Sequence, residues 1–186
     1  MRKTDITKIE AIKKSVLDLS YSFGVSNLTT AKIAKSAGVS PATIYLHYED
    51  KTDLLSRLYE EVKTNLHDGL GDAINLTQGI DDQIKQTMQY TVDQYRKYPK
   101  EAYFVATLWS NQEMLDEHAI AFGNTMEGPL ADLFGRIKNS NDYEDVSSDV
   151  LEIFFTVPTM LLERKSEISN QLVEQVSTMI VKAIKK

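Results

Sequence analysis

The sequence predicts an all-α fold of about nine helices, three small ones first and a larger helical body after them. Three observations predict it. Apolar residues recur at spacings of three and four almost throughout the 186 residues. Glycine and proline are scarce, 8 and 4 in all, which suits helices more than sheets. No stretch competes as a strand, and there is no internal repeat or low-complexity segment. With 42% hydrophobic and 26% charged residues the chain has an ordinary globular balance, and its length allows one or two domains with a sizeable core.

Ile6, Ile9, Ile12, Val16, Leu19 and Phe23 form one helical stripe that ends at Gly24. Two short segments follow, 29–37 and 40–47, each too short to be stable alone. Leu54, Leu55, Leu58, Val62 and Leu66 mark a longer helix over about 51–70, after which Gly69, Gly71 and Gly79 punctuate the connection. Five helices are expected beyond it. The first spans about 80–98, and the second starts with Pro99 in its first turn and ends near Asn111. The third spans about 115–138, with a kink or break at Gly128-Pro129. Residues 139–145 read as a loop. Ser147 or Ser148 caps the fourth helix, to about Arg164, and the last spans about 166–185.

The densest information lies in Thr29 to Tyr48. Thr29 is placed to cap the first short helix, and Ile33, Ala34 and Ala37 give it a small apolar face that a second helix can cross closely. Gly38 supplies a left-handed residue just past the helix end, and Val39 tucks into the angle. Ser40 caps the next helix, with Pro41 at its first position, where the missing N–H costs nothing. Ile44 faces the core, which leaves Pro41, Ala42, Thr43, Tyr45 and Leu46 outward or at the edge. A helix so short, held across another by a tight turn, fits a DNA major groove.

The stretch resembles the tetracycline-repressor (TetR) family pattern. The matching residues are Thr29, Ile33-Ala34, Ala37-Gly38-Val39-Ser40, Thr43-Ile44-Tyr45, His47-Tyr48, Lys51 and Leu54. The resemblance implies a helix-turn-helix at about 29–48 within a three-helix DNA-binding domain over 1–50. A regulatory domain for ligand binding and dimerisation would occupy 51–186. It also implies phosphate contacts from Thr29 or Thr30, Tyr45, His47 and Lys51, with Ser40, Pro41, Ala42 and Thr43 at the groove. Tyr48 belongs to the same contact set or packs at the joint with the long helix. His47 is either a contact or a surface histidine, and Lys32 and Lys35 are either contacts or solvated charges. The recognition helix has no Arg, Lys, Asn or Gln, the usual bidentate partners of guanine and adenine. Readout is therefore expected from thymine methyls against Pro41, Ala42 and the Thr43 methyl, supplemented by DNA shape and by Lys32.

Charge distribution agrees with this division. The net charge is −6, yet residues 1–51 hold eight Lys or Arg against five acids, and the remainder 13 against 22. A mildly basic head on an acidic body suits a DNA-binding module joined to a separate regulatory one, although uneven charge also arises in proteins with no nucleic-acid partner.

The last two helices are apolar on more than one face, which implies packing on two sides. Phe154, Val157, Leu161, Leu172, Val176, Met179 and Ile180 are the expected interface of a homodimer, as the resemblance also implies; burial within one chain is the alternative. A two-fold dimer would read a near-palindromic operator. Met88, Tyr103, Trp109, His118, Phe122, Met126 and Phe155 are candidates to line a pocket for an unidentified small-molecule effector. Asn111, Gln112 and Glu113 are possible polar anchors beside Trp109, and plain core packing is the competing reading for the aromatic and methionine residues.

No enzyme, cofactor or metal site is expected. The chain has no cysteine, and its histidines, 47, 67 and 118, are scattered. There is no P-loop, dinucleotide fingerprint or nucleophile elbow. No signal peptide or membrane span is expected, and a cytoplasmic location follows from these readings. The functional expectation is a homodimeric repressor released from its operator by a ligand. The alternative is an interaction protein whose head has drifted from reading DNA and whose dimer serves as a coactivator or scaffold.

Overall fold

The computed structural model describes residues 3–125, 128–164 and 167–186, with the side chains of residues 3, 4 and 163 left aside. Among these residues the chain is all-α: α1 (Lys3–Phe23), α2 (Thr30–Ala37), α3 (Pro41–Tyr45), α4 (Lys51–His67), α5 (Leu70–Ala73), α6 (Ile80–Lys97), α7 (Pro99–Trp109), α8 (Glu117–Asn124), α9 (Gly128–Asn139), α10 (Ser148–Arg164) and α11 (Asn170–Ile184). Short 3₁₀ turns occupy Val25–Asn27 and Gln112–Met114. The count exceeds the expected nine for two reasons. The long helix stops at His67, and Gly69, with φ 88°, turns the chain into the separate short α5. The expected 115–138 helix is broken into α8 and α9, with Gly128 at φ 69° starting the second.

The chain divides into two compact units: residues 1–66 with 98–125, and residues 67–97 with 126–186. The first therefore holds more than the three-helix head, since α4, α7 and α8 share its core. Ile12, Val16, Ile33, Ile44, Leu54, Leu55, Phe104 and Leu108 are fully buried there. The inward stripe of α1 differs at its ends from the expected one. Ser20 takes the inward position beyond Val16, bonding the Val16 carbonyl at 2.6 Å, while Ile6 and Phe23 are exposed. Ties across helices complete the unit. Lys100 on α7 pairs with Asp18 on α1 at 2.5 Å, and Ser56 on α4 accepts from the Asp116 N–H that opens α8 at 2.9 Å.

In the second unit α6 packs against α9, α10 and α11 around Ile84, Met88, Leu133, Phe134, Leu151 and Ile184. The Ser147 hydroxyl accepts from Val150 N at 3.4 Å as α10 begins, and Ser169 caps α11. The expected start of that last helix at Ser166 lies outside the described residues. Pro158 sits buried inside α10, where its ring removes one backbone donor, and the Thr156 and Thr159 hydroxyls bond carbonyls three residues back. The C-terminal backbone pairs with the 142–144 segment through Glu144 N to Ile184 O and Lys186 N to Asp142 O.

Candidate nucleic-acid interface

The helix-turn-helix is built by its caps. The Thr29 hydroxyl accepts from Lys32 N at 3.2 Å at the start of α2. Gly38, at φ 67° and ψ 30°, ends α2 in the left-handed region, and Val39 N closes back on Ala34 O at 3.0 Å. The Ser40 hydroxyl accepts from Thr43 N at 3.2 Å, and Pro41 stands in the first turn of α3. Ile44 is wholly buried, so the five-residue α3 is pinned by one core residue and one cap.

Its other face is open. Pro41, Ala42, Tyr45 and Leu46 are exposed, and Thr43 is half-buried with its hydroxyl 3.0 Å from that of Ser40. The Tyr45 hydroxyl lies 3.1 Å from the Thr30 hydroxyl, which joins the end of α3 to the start of α2. Thr29 and Lys32 are exposed, and the Lys32 ammonium donates to the Asn27 carbonyl at 3.0 Å. Lys51, half-buried at the N-terminus of α4, reaches the Leu28 carbonyl at 3.5 Å. Hydroxyls, two lysines and a helix N-terminus thus border an apolar outward row, a set that can bond phosphate oxygens around a groove.

Tyr48 and His47, each with two readings open, are placed differently from one another. Tyr48 is 7% exposed and lies in the core, with the Arg57 guanidinium 5.8 Å from its ring; burial pushes its phenol up. Its place follows from the backbone. The His47 and Tyr48 N–H groups both bond Ile44 O at 3.0 Å, so the chain turns at once after α3. His47 is half-buried, and its carbonyl accepts from Arg57 at 3.5 Å.

The sequence reading missed the support behind this surface. Asp50 accepts from Asp53 N and Asp53 accepts from Glu49 N, both at 2.9 Å, two side-chain caps at the start of α4. An acid three residues after another before an apolar run was the available signal. Lys13 was counted among the head's positive charges, but it is held by Glu61 at 2.7 Å and Glu10 at 3.1 Å. Burial alone would lower that ammonium; the two carboxylates outweigh it and raise it, and they more than offset its charge.

The candidate ligand residues do not converge on one place. Met88 and Phe155 are buried in the second unit's core, the latter edge-on to Phe134 at 4.9 Å. Trp109 and Phe122 are half-buried in the first unit around Lys63. Tyr103 is partly exposed, edge-on to Tyr21. His118 is exposed, and its Nδ1 lies 2.7 Å from Glu60, whose carboxylate raises the imidazole above its ordinary value. Met126 lies outside the described residues. Asn111 and Gln112 are half-buried and Glu113 exposed. Of the expected dimer residues, Met179 is 62% exposed; Phe154, Val157, Leu161, Leu172 and Val176 are half-buried; and Ile180 is buried within its own chain. Among the described residues no group of three or more His, Cys, Asp or Glu could hold a metal ion, and no helix is long and apolar enough to cross a membrane.

Residues 17–58 match the family model described as bacterial regulatory proteins, tetR family. The HTH-type transcriptional regulator AcrR of Shigella flexneri is 38% identical over 66 residues, 32% of this chain and 31% of that protein. The nucleoid occlusion factor SlmA of Mannheimia succiniciproducens is 29% identical over 76 residues, 41% of this chain and 35% of that protein. The chain thus matches about a third of the length of these curated relatives. A TetR family transcription regulator from Marinobacter aquaeolei VT8 has the same fold over 100% of both chains, with a TM-score of 0.82 and 22% identity.

Proposed function

We propose that the chain, whose residues 17–58 match the tetR family model, is a cytoplasmic DNA-binding transcriptional regulator of that family, a homodimeric repressor released from a near-palindromic operator by a small molecule. One observation carries the DNA-binding part. A short helix fixed by Ser40, Ile44 and Gly38 presents Pro41, Ala42, Tyr45 and Leu46 to solvent, beside Lys32 and the Lys51 end of α4. On this reading residues 1–50 bind DNA. Thr29, Thr30, Tyr45, His47 and Lys51 take phosphates, while Ser40, Pro41, Ala42 and Thr43 meet the groove. Thymine methyls and DNA shape supply much of the specificity, because no bidentate side chain stands on α3.

Dimerisation is supported by what α10 and α11 leave uncovered. Ile153 and Met179 are each 62% exposed, with Val150 and Met160 exposed beside them in sequence on α10. A second copy covers such a face by two-fold packing of the same helices. The direct test is binding of the full chain to the region upstream of its own gene, followed by fluorescence anisotropy across a salt series. The expected result is a steep fall in affinity with salt, about a thousandfold preference over random DNA and a near-palindromic footprint. Equal affinity for random DNA refutes the proposal.

A second reading is favoured by the match to a nucleoid occlusion factor. On this reading the head of this chain binds DNA, but the output is not control of a promoter. A reporter fused to a bound upstream site separates the two. Repression relieved by deleting the gene supports the first, and unchanged transcription from an occupied site supports the second.

A further inference from the structure

On α4 the Lys63 ammonium sits among three aromatic rings drawn from three helices. It lies 5.2 Å from the ring of Trp109 on α7, 5.9 Å from Tyr59 on α4 and 5.9 Å from Phe122 on α8. It also donates to the Gly123 carbonyl at 2.7 Å. The Tyr59 and Trp109 planes are within 9° of parallel, with centroids 6.3 Å apart. Only glycine fits at 123, since a Cβ there would meet Trp109 at 2.2 Å. Aromatic faces closing on an ammonium are a means by which proteins recognise alkylammonium ligands, and a carbonyl beside them can accept a hydrogen bond where the ammonium carries an N–H. Here the occupant is the chain's own side chain. Lys63, Trp109 and Phe122 are all half-buried, so the cage reaches solvent. Glu60, one turn before Lys63, adds a half-buried carboxylate to the same helix.

We propose that this cage is a binding site for small organic cations of the alkyl- or quaternary-ammonium class, with Lys63 as a tethered competitor that fills it when no ligand is bound. The tether makes the competitor's local concentration millimolar or so, which sets a threshold that a ligand must exceed. The regulatory meaning rests on the ligand-responsive reading above. Tyr59, Lys63, Trp109 and Phe122 belong to the compact unit that carries the helix-turn-helix, and a ligand that displaces Lys63 breaks its bond from α4 to α8 inside that unit.

The test uses the DNA-free full chain and choline chloride, titrated at constant ionic strength against sodium chloride. Trp109, the single tryptophan, reports through its emission. Its uncharged isostere, 3,3-dimethylbutan-1-ol, is titrated in parallel. The expected result is a saturable response to choline, at least about tenfold tighter in Lys63→Ala, in which the competitor is gone. Binding is expected to weaken about fivefold or more in Phe122→Leu, a mild change that keeps the fold and the reporter. The isostere should give no saturable response at the same concentrations. The proposal is overturned by no saturable response in Lys63→Ala, by equal responses to choline and the isostere, or by a Lys63→Ala affinity no tighter than that of the unaltered chain. A separate arm adds choline to the DNA complex. Binding without release overturns the regulatory part, whereas failure to bind DNA at all overturns the repressor reading and leaves the cation site standing.

Discussion

Gly123→Ala puts the packing around Trp109 to a quantitative test. The new Cβ is fixed to the α8 backbone and meets Trp109 Cζ3 at 2.2 Å, Cη2 at 2.9 Å and the Tyr59 hydroxyl at 2.9 Å. Ordinary contact begins near 3.4 Å, so the tryptophan edge must retreat by 1.2 Å, the difference between 3.4 and 2.2 Å. Overpacking of this kind costs about 3 kcal/mol at its upper end. Replacing a helical glycine by alanine returns about 1 kcal/mol of backbone entropy. The net loss is therefore about 2 kcal/mol, or about 4–8 °C in Tm for a chain of this size. Gly135→Ala is the matched control. It is the same change inside α9, with nothing within 4 Å of the new Cβ, and it should raise Tm by about 2 °C. Thermal melts by circular dichroism give both numbers, and Trp109 emission reports the displacement. A Gly123→Ala protein with unchanged Tm and unchanged emission would refute the packing argument.

Three other outcomes are expected. Lys51→Ala should lower the slope of log affinity against log salt by about 0.9 per head, while leaving base preference intact, as measured by anisotropy on operator and random DNA. Ile153→Glu with Met179→Glu places charge on the open apolar face of α10 and α11 and should weaken the dimer about a hundredfold or more in analytical ultracentrifugation, with the helical spectrum unchanged. Asp81 gives the second unit an acid-dependent contribution. Burial alone would raise its carboxyl, but hydrogen bonds from Lys185 at 2.6 Å and from the Tyr143 phenol outweigh this and hold it below its ordinary 3.8. Its folded value is thus depressed, so its contribution is present above about pH 4 and is lost as pH falls through the folded value. With the side chain 36% exposed, solvent screening keeps the contribution under about 1 kcal/mol. Asp81→Asn should accordingly lower Tm by a few degrees at pH 7, and the difference from the unaltered chain should shrink at pH 3.

Local backbone punctuation was legible in the sequence because each signal is satisfied within a few residues. Thr29, Gly38, Ser40 and Pro41 take the backbone roles assigned to them, since a cap needs only its own helix turn. Tyr45 and Tyr48 show where that locality ends. They are three residues apart, and a helical wheel extended through both gives no reason to separate them. The chain leaves the helix after Tyr45, with two N–H groups sharing the Ile44 carbonyl, and the second tyrosine swings into the core while the first stays 53% exposed. The aromatic and methionine residues of the body pose the same problem at longer range. Met88 and Trp109 look alike in composition, but one belongs to each compact unit, and no periodicity within α6 or α7 says which core a helix joins. The partner of Trp109 is Lys63, 46 positions earlier, a separation across which sequence spacing carries no information.

The charge of the head changes meaning once these contacts are counted. Its surplus over residues 1–51 is small, and the positive charge of Lys13 is more than offset by Glu10 and Glu61. Lys32 and Lys51 each give part of their donor capacity to a backbone carbonyl, Asn27 and Leu28 respectively. Neither bond immobilises the ammonium fully, since each lysine has three donors. The two are therefore pre-positioned at the edge of α2 and the start of α4, and less side-chain entropy remains to be lost when phosphate arrives. A lean surface of this kind gives modest non-specific attraction and, on the proposed function, places the burden of recognition on geometry, namely the fixed orientation of α3 and the spacing of two heads in the proposed dimer. Moving Ser40 to Ala tests that ordering. It removes no charge, yet loosening the cap of a five-residue helix should weaken operator binding about fivefold through lost orientation, with the salt slope unchanged. A fall in the slope instead would mean that Ser40 itself holds a phosphate, and that the head binds more by charge than by shape.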